Sequence, residues 1–166
     1  MATVSYGLKI TEAYHIFDKT IKIYRNAVHY ISDIAIRHFD ELKSLESITG
    51  DDGKVIISAQ QRRQQKMERL IHSTENNDAV YKRFDKEFYK FPSYLRRDAI
   101  NTSIGLMLSY RSQLQNWENG GKHGCRPYLN RNQNTMPCFY RNNTFFDSEE
   151  ANIVSLKLYN GKDWIW

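Results

Sequence analysis

Cysteine is scarce in this chain: Cys125 and Cys138 are its two, far apart and outside any C-x-x-C pair. That argues against a disulfide framework and points to a reducing cytosol. No run approaches the roughly 20 apolar residues that a membrane helix needs, so no membrane partner is expected. Met1 to Ile10 lacks the charged-then-apolar plan of a secretory signal, which leaves the Asn101-Thr102-Ser103 and Asn142-Asn143-Thr144 glycosylation patterns as chance matches. Clustered acids are missing too. Asp51 and Asp52 sit in one turn, Asp147, Glu149 and Glu150 in another, whereas a metal-dependent nuclease needs carboxylates gathered around its ions. His123, Cys125 and Cys138 lack the paired spacing of a zinc site, and no Ser/His/Asp or Cys/His signature is present. The stretch TGDDGK at residues 49–54 has its glycines too close together, and no Ser or Thr after the lysine, for a phosphate-binding loop. The expectation is a protein without enzymatic activity, metal or cofactor.

What is present is basic charge, unevenly placed. A chain of 166 residues buries one core, or a core with a small added module. The net charge of +5 comes from two blocks. Residues 60–97 hold ten Lys and Arg against five Asp and Glu, and residues 111–141 hold five against one. Such segregation suits a surface that faces a polyanion. The plainer reading, a lysine-rich helical surface kept for solubility, accounts for the first block equally well.

Along the chain, Val4, Tyr6, Leu8 and Ile10 alternate with polar or small residues, the period of a half-buried strand. Thr11 can cap a helix, and Tyr14, Phe17, Ile21, Tyr24, Val28, Ile31, Ala35, His38, Leu42 and Leu45 follow in three-four spacing. This predicts one helix of about 50 Å running to Leu45, with His38 a core residue. Residues 49–54 form a turn. In residues 58–71, Arg62, Lys66 and Arg69 line one side beside Met67, Leu70 and Ile71. Tyr81, Phe84, Phe88 and Phe91 keep helical spacing and read as core, with Lys82, Lys86 and Lys90 on another side. Phe91-Pro92-Ser93 ends that helix and starts another. The apolar face of the new helix is Leu95, Ala99, Leu106, Tyr110 and Trp117, extended by Ile100, Met107 and Leu114, with Ala99, Ser103 and Gly105 small enough to admit a neighbour. Asn119-Gly120-Gly121 stops it.

A basic loop rich in Gly and Asn follows at residues 122–134. Residues 135–141 and 151–159 then read as strands, and Asn160-Gly161 as a two-residue hairpin leading to Trp164 and Trp166. A hairpin ending on two tryptophans presents an apolar sheet edge, as in a chain cut short. The fold expected is α+β: a helical block at 11–118 and a basic loop at 119–134, set between a first strand at 1–10 and the remaining strands at 135–166.

Arg and Lys contact phosphates, and aromatics beside them stack on bases or sugars. The best local stretch is Tyr110-Arg111 through Trp117, then Lys122, Arg126 and Arg131, ending at Tyr140-Arg141. Its competing reading is an inter-domain linker.

The string Phe91-Pro92-Ser93-Tyr94-Leu95-Arg96-Arg97-Asp98-Ala99-Ile100-Asn101 continues through Ser109-Tyr110-Arg111-Ser112 to Asn116-Trp117-Glu118. After the basic loop it resumes at Met136-Pro137-Cys138-Phe139-Tyr140-Arg141-Asn142-Asn143-Thr144-Phe145. It resembles the N-terminal half of TnpB proteins, the transposon-encoded relatives of type V CRISPR nucleases. The resemblance implies a small, incomplete, wedge-like β-barrel with a helical recognition lobe inserted after its first strand. It implies guide RNA and target DNA as partners, with cutting assigned to a RuvC-like domain that would be missing or separately encoded. Arg96 and Arg97 fall at the family's basic helix start and Tyr140-Arg141 on its strand after the proline. Two other readings stand beside it: a nuclease-dead binding regulator, and a helical protein–protein module with an incidental basic face.

Overall fold

The structure, a computed structural model, describes residue 12 and residues 14–130, 135–147 and 153–166. The strand expected at Val4 to Ile10 and the candidate Arg131 lie outside the described residues.

About half the chain is helical. The first helix, α1 (Tyr14–Arg37), buries Thr20, Tyr24, Ala27, Val28, Ile31, Ser32, Ile34 and Ala35; of the expected stripe Tyr24, Val28, Ile31 and Ala35 are buried, while Phe17 and Ile21 are half-buried and Tyr14 is exposed. The helix bends rather than running straight to Leu45. His38 adopts φ −101° and ψ 20°, and α2 (Phe39–Lys43) follows. Helical hydrogen bonding persists across the bend, from His38 N to the Ile34 carbonyl and from Leu42 N to the His38 carbonyl. The His38 side chain is half-buried, not core: Nδ1 lies 3.0 Å from Glu41 Oε2 and Nε2 3.0 Å from the Tyr81 hydroxyl.

Residues 49–54 make the expected turn, but they join two short strands that periodicity did not reveal, β1 (Ile48–Thr49) and β2 (Val55–Ile57). Gly53 takes φ +74°, the left-handed region glycine enters without strain. Then α3 (Ala59–Ile71) begins on a capping box in which Ser58 and Gln61 each satisfy the other's backbone N–H. The helix expected to carry Tyr81 through Phe91 shrinks to α4 (Arg83–Glu87). Phe88 leaves helical geometry and Lys90 takes φ 56°, so Phe84, Phe88 and Phe91 fold onto one another at centroid distances of 4.8–6.0 Å.

The longest helix, α5 (Ser93–Asn119), starts and stops where Pro92 and the Gly120-Gly121 pair predict. Its buried face includes Leu95, Ala99, Ile100, Ser103, Ile104, Met107 and Leu114, so Leu95, Ala99 and the expected extension Ile100, Met107 and Leu114 are buried, whereas Leu106, Tyr110 and Trp117 are only half-buried. Ser103 is the small residue that brings α1 close: its Oγ donates to the Val28 carbonyl at 3.1 Å. Gly105 instead faces open space. Contacts from Tyr24 to Asp98, Val28 to Ser103 and Phe39 to Arg111 show α1 and α5 running side by side in the same direction. Contacts from Gln60 to Asn101 and from Glu68 to Arg96 lay α3 antiparallel on α5.

Residues 135–140 are irregular rather than a strand. They cross the α1–α5 groove as a strap: Arg25 Nε donates to the Thr135 carbonyl at 3.0 Å, and Cys138 N donates to Asp98 at 3.0 Å. Beyond them β3 (Phe145–Asp147) pairs with β4 (Val154–Leu156), and β5 (Leu158–Tyr159) with β6 (Trp164–Ile165), all antiparallel. The Asn160-Gly161 signal marks a real hairpin, but its loop is four residues long, because Tyr159 pairs with Trp164. That hairpin docks on α1 through Tyr159 N, which donates to Thr20 Oγ1 at 2.8 Å. The apolar edge expected there is half covered. Trp164 is buried against Phe91 at 5.3 Å, while Trp166 lies on Phe146 at 4.6 Å and stays 55% exposed. The fold is α+β, and among the described residues the three two-stranded sheets do not close into a barrel.

Candidate nucleic-acid interface

Several candidate residues are already occupied inside the molecule. Arg62 donates to the Glu46 carbonyl at 2.8 Å, where it helps satisfy the end of the preceding segment, and Lys66 forms an ion pair with Glu41. That pair and His38 hold the Glu41 carboxyl below the usual range. Arg69 is exposed. Arg141 pairs with Asp147, and Lys122 stands exposed just beyond α5.

Arg96 requires a correction. Expected at the surface, it is 8% exposed, with Nη2 and Nε donating to Glu68 Oε1 at 3.0 and 3.3 Å. Consecutive residues on a helix point about 100° apart, so Arg96 turns into α3 while Arg97 turns to solvent. Arg97 stays half-exposed, 3.5 Å from Glu68, with its guanidinium over the Tyr94 ring at 5.6 Å. Tyr94 in turn touches Tyr140 at 5.5 Å between centroids. Arg97 and Tyr140, distant in the sequence, are thus linked through a tyrosine that the sequence did not single out.

Beneath that cluster lies Asp98, 8% exposed, which accepts from the Tyr24 hydroxyl at 2.6 Å and from Cys138 N. Burial and the hydrogen bond to Asp98 push the Tyr24 hydroxyl far above its ordinary pKa, so it remains a donor. Burial, followed by the nearby Asp98 charge, also raises the Cys138 thiol and the Tyr140 hydroxyl. This arrangement positions the strap and is structural.

The other cluster is an open cleft of about 610 Å³ at the far ends of α1 and α5. Tyr110 and Arg111 reach it from α5, Arg126 and Tyr128 from the basic loop, and Ile36, Leu114, Pro127 and Leu129 supply apolar surface. No acid lines it. Arg111 lies over the Phe39 ring at 4.6 Å, and its Nε is buried without a hydrogen-bond partner. An unsatisfied buried donor costs about 1–3 kcal/mol. Three candidates therefore converge: Tyr110, Arg111 and Arg126. Tyr128, 75% exposed, was missed, although an aromatic two residues after Arg126 in a basic loop is a signal of the same kind. Nothing local could have placed Phe39 under Arg111.

A groove of about 650 Å³ between α1 and α4 is also basic, but its charges are compensated. Asp33 and Glu87 line it, Arg83 is paired with Glu87 at 2.7 Å, and Lys19 donates to the Asn160 carbonyl. Among the described residues, no three His, Cys, Asp or Glu side chains gather where one metal ion could reach them, and no helix is long and apolar enough to cross a membrane.

Fold and cleft together define an α+β protein with a helical body and an arginine–tyrosine cleft. The Aq_aa04 family model matches residues 2–160, and the chain belongs to that family. No curated protein and no solved structure matches it.

Proposed function

We propose that this chain is a non-catalytic nucleic-acid-binding protein of the prokaryotic cytosol, the binding portion of a TnpB-like, transposon-associated system. In this reading guide RNA and target DNA are its partners, the helices form a recognition lobe, and the short sheets belong to a wedge-like partial barrel. The observation that carries it is the cleft: two guanidiniums with no carboxylate lining it among the described residues, beside two tyrosines. Arginine supplies phosphate contacts and tyrosine stacking, the pairing from which nucleic-acid surfaces are built. The Arg97–Tyr94–Tyr140 ladder offers a second contact near the start of α5, about 20 Å away at 1.5 Å per residue.

Fluorescence anisotropy of the purified chain with labelled RNA and DNA tests the reading. Binding is expected, with affinity falling steeply between about 50 and about 200 mM salt as counterions compete. No binding of either at about 50 mM salt would sink it. Equal affinity for any RNA would favour the regulator without a dedicated guide.

A further inference from the structure

Resting on that reading, we infer that the cleft takes an unpaired nucleotide of single-stranded nucleic acid, with its base stacked on Tyr128 and its phosphate gripped by Arg111 and Arg126. The cleft joins two kinds of surface that a groove for duplex backbone does not need together. One is cationic, from Arg111 and Arg126; the other is apolar, from Leu114 and Pro127. A duplex turns its phosphates outward and keeps its base faces stacked inside, so the apolar surface and Tyr128 would meet nothing. A single strand offers both a phosphate and an open π-face. The volume, about 610 Å³, falls within the ~300–1,000 Å³ of sites that hold a ligand of nucleotide size.

Preorganisation supports the same conclusion. Phe39 fixes the plane of the Arg111 guanidinium from beneath. Tyr128 is 75% exposed, so the core does not account for its place. Both Tyr128 and Arg126 belong to the exposed loop after α5, where substitution leaves the helical core intact.

The test uses the whole chain with labelled single strands of about 12 nucleotides, as RNA and as DNA, and with blunt duplexes of the same sequence. Heparin, a polyanion without bases, serves as competitor. Single strands should bind more tightly than duplex. Tyr128→Phe should keep that preference, and Tyr128→Ser should weaken single-strand binding by roughly 5- to 150-fold, the worth of one stacked base, while leaving duplex binding unchanged. Arg126→Gln should lower the salt slope by about one. If Tyr128→Ser binds single strands as the parent does, the inference is overturned. Equal affinity for single strand, duplex and heparin overturns it as well, but leaves the polyanion reading standing. If no oligonucleotide binds, both fall. A difference between the RNA and DNA arms, with Tyr128→Ser abolishing it, identifies which strand the cleft serves.

Discussion

Replacing Arg96 by alanine should destabilise the protein rather than simply weaken its binding. The side chain is 10% exposed, donates twice to Glu68 Oε1 and also approaches the Phe91 carbonyl at 3.5 Å. Breaking a buried ion pair by removing one partner costs about 3–5 kcal/mol, mostly because the other charge is left buried. Glu68 is 22% exposed and keeps Arg97 at 3.5 Å, so the orphaned charge retains some solvent and one cation. The expected loss is therefore smaller, about 2–3 kcal/mol. In a chain of this size that lowers the thermal midpoint by about 4–12 °C, which circular dichroism reads directly. Adding Glu68→Gln should recover part of the loss, and the double-mutant cycle should show a coupling of about 1–2 kcal/mol. Arg97→Ala should shift stability by under about 0.5 kcal/mol. An Arg96→Ala protein that melts with the parent yet binds nucleic acid poorly would refute the structural role.

Asp98→Ala strips an acceptor from the buried Tyr24 hydroxyl and from Cys138 N; a loss of about 2–4 kcal/mol is expected in urea melts, and under 1 would contradict the hub. Trp164→Ala should cost about 3–5 kcal/mol by opening a cavity beside Phe91. Trp164→Phe should cost far less, because the indole Nε1 is buried with no partner to lose; equal melting losses in the two variants would contradict this. Alkylation of Cys138 should need a higher pH than a free cysteine does, chiefly because of burial, and Asp98→Asn should bring the profile only part of the way back down. Because the raised thiol stays neutral longer in the fold, its preference stabilises below the ordinary cysteine pKa and is lost as pH rises through the folded value. Peptide mapping after timed alkylation distinguishes it from Cys125.

The helical body was legible residue by residue where local rules are strong. A stripe at three-four spacing marked the buried face of α1, Pro92 and Gly120-Gly121 marked the limits of α5, and Asn160-Gly161 marked the last hairpin. These signals depend on backbone geometry within a few residues, so the sequence carries them unaided. Only tertiary structure could decide between Arg96 and Arg97. The two are chemically alike and adjacent, and what separates them is the position of Glu68, 28 residues earlier, on a helix lying to one side. The same holds for the shortened helix at Phe84, where the aromatic side chains gain more from collapsing onto Tyr30 and Trp164 than from continuing a helical register. It holds for the site as well. By itself the sequence determined that arginines and tyrosines alternate along a basic stretch. That Tyr110, Arg111, Arg126 and Tyr128 meet in one cleft, with Phe39 beneath, follows from α1 and α5 running side by side, because such a site is made by residues that packing, not chain order, brings together.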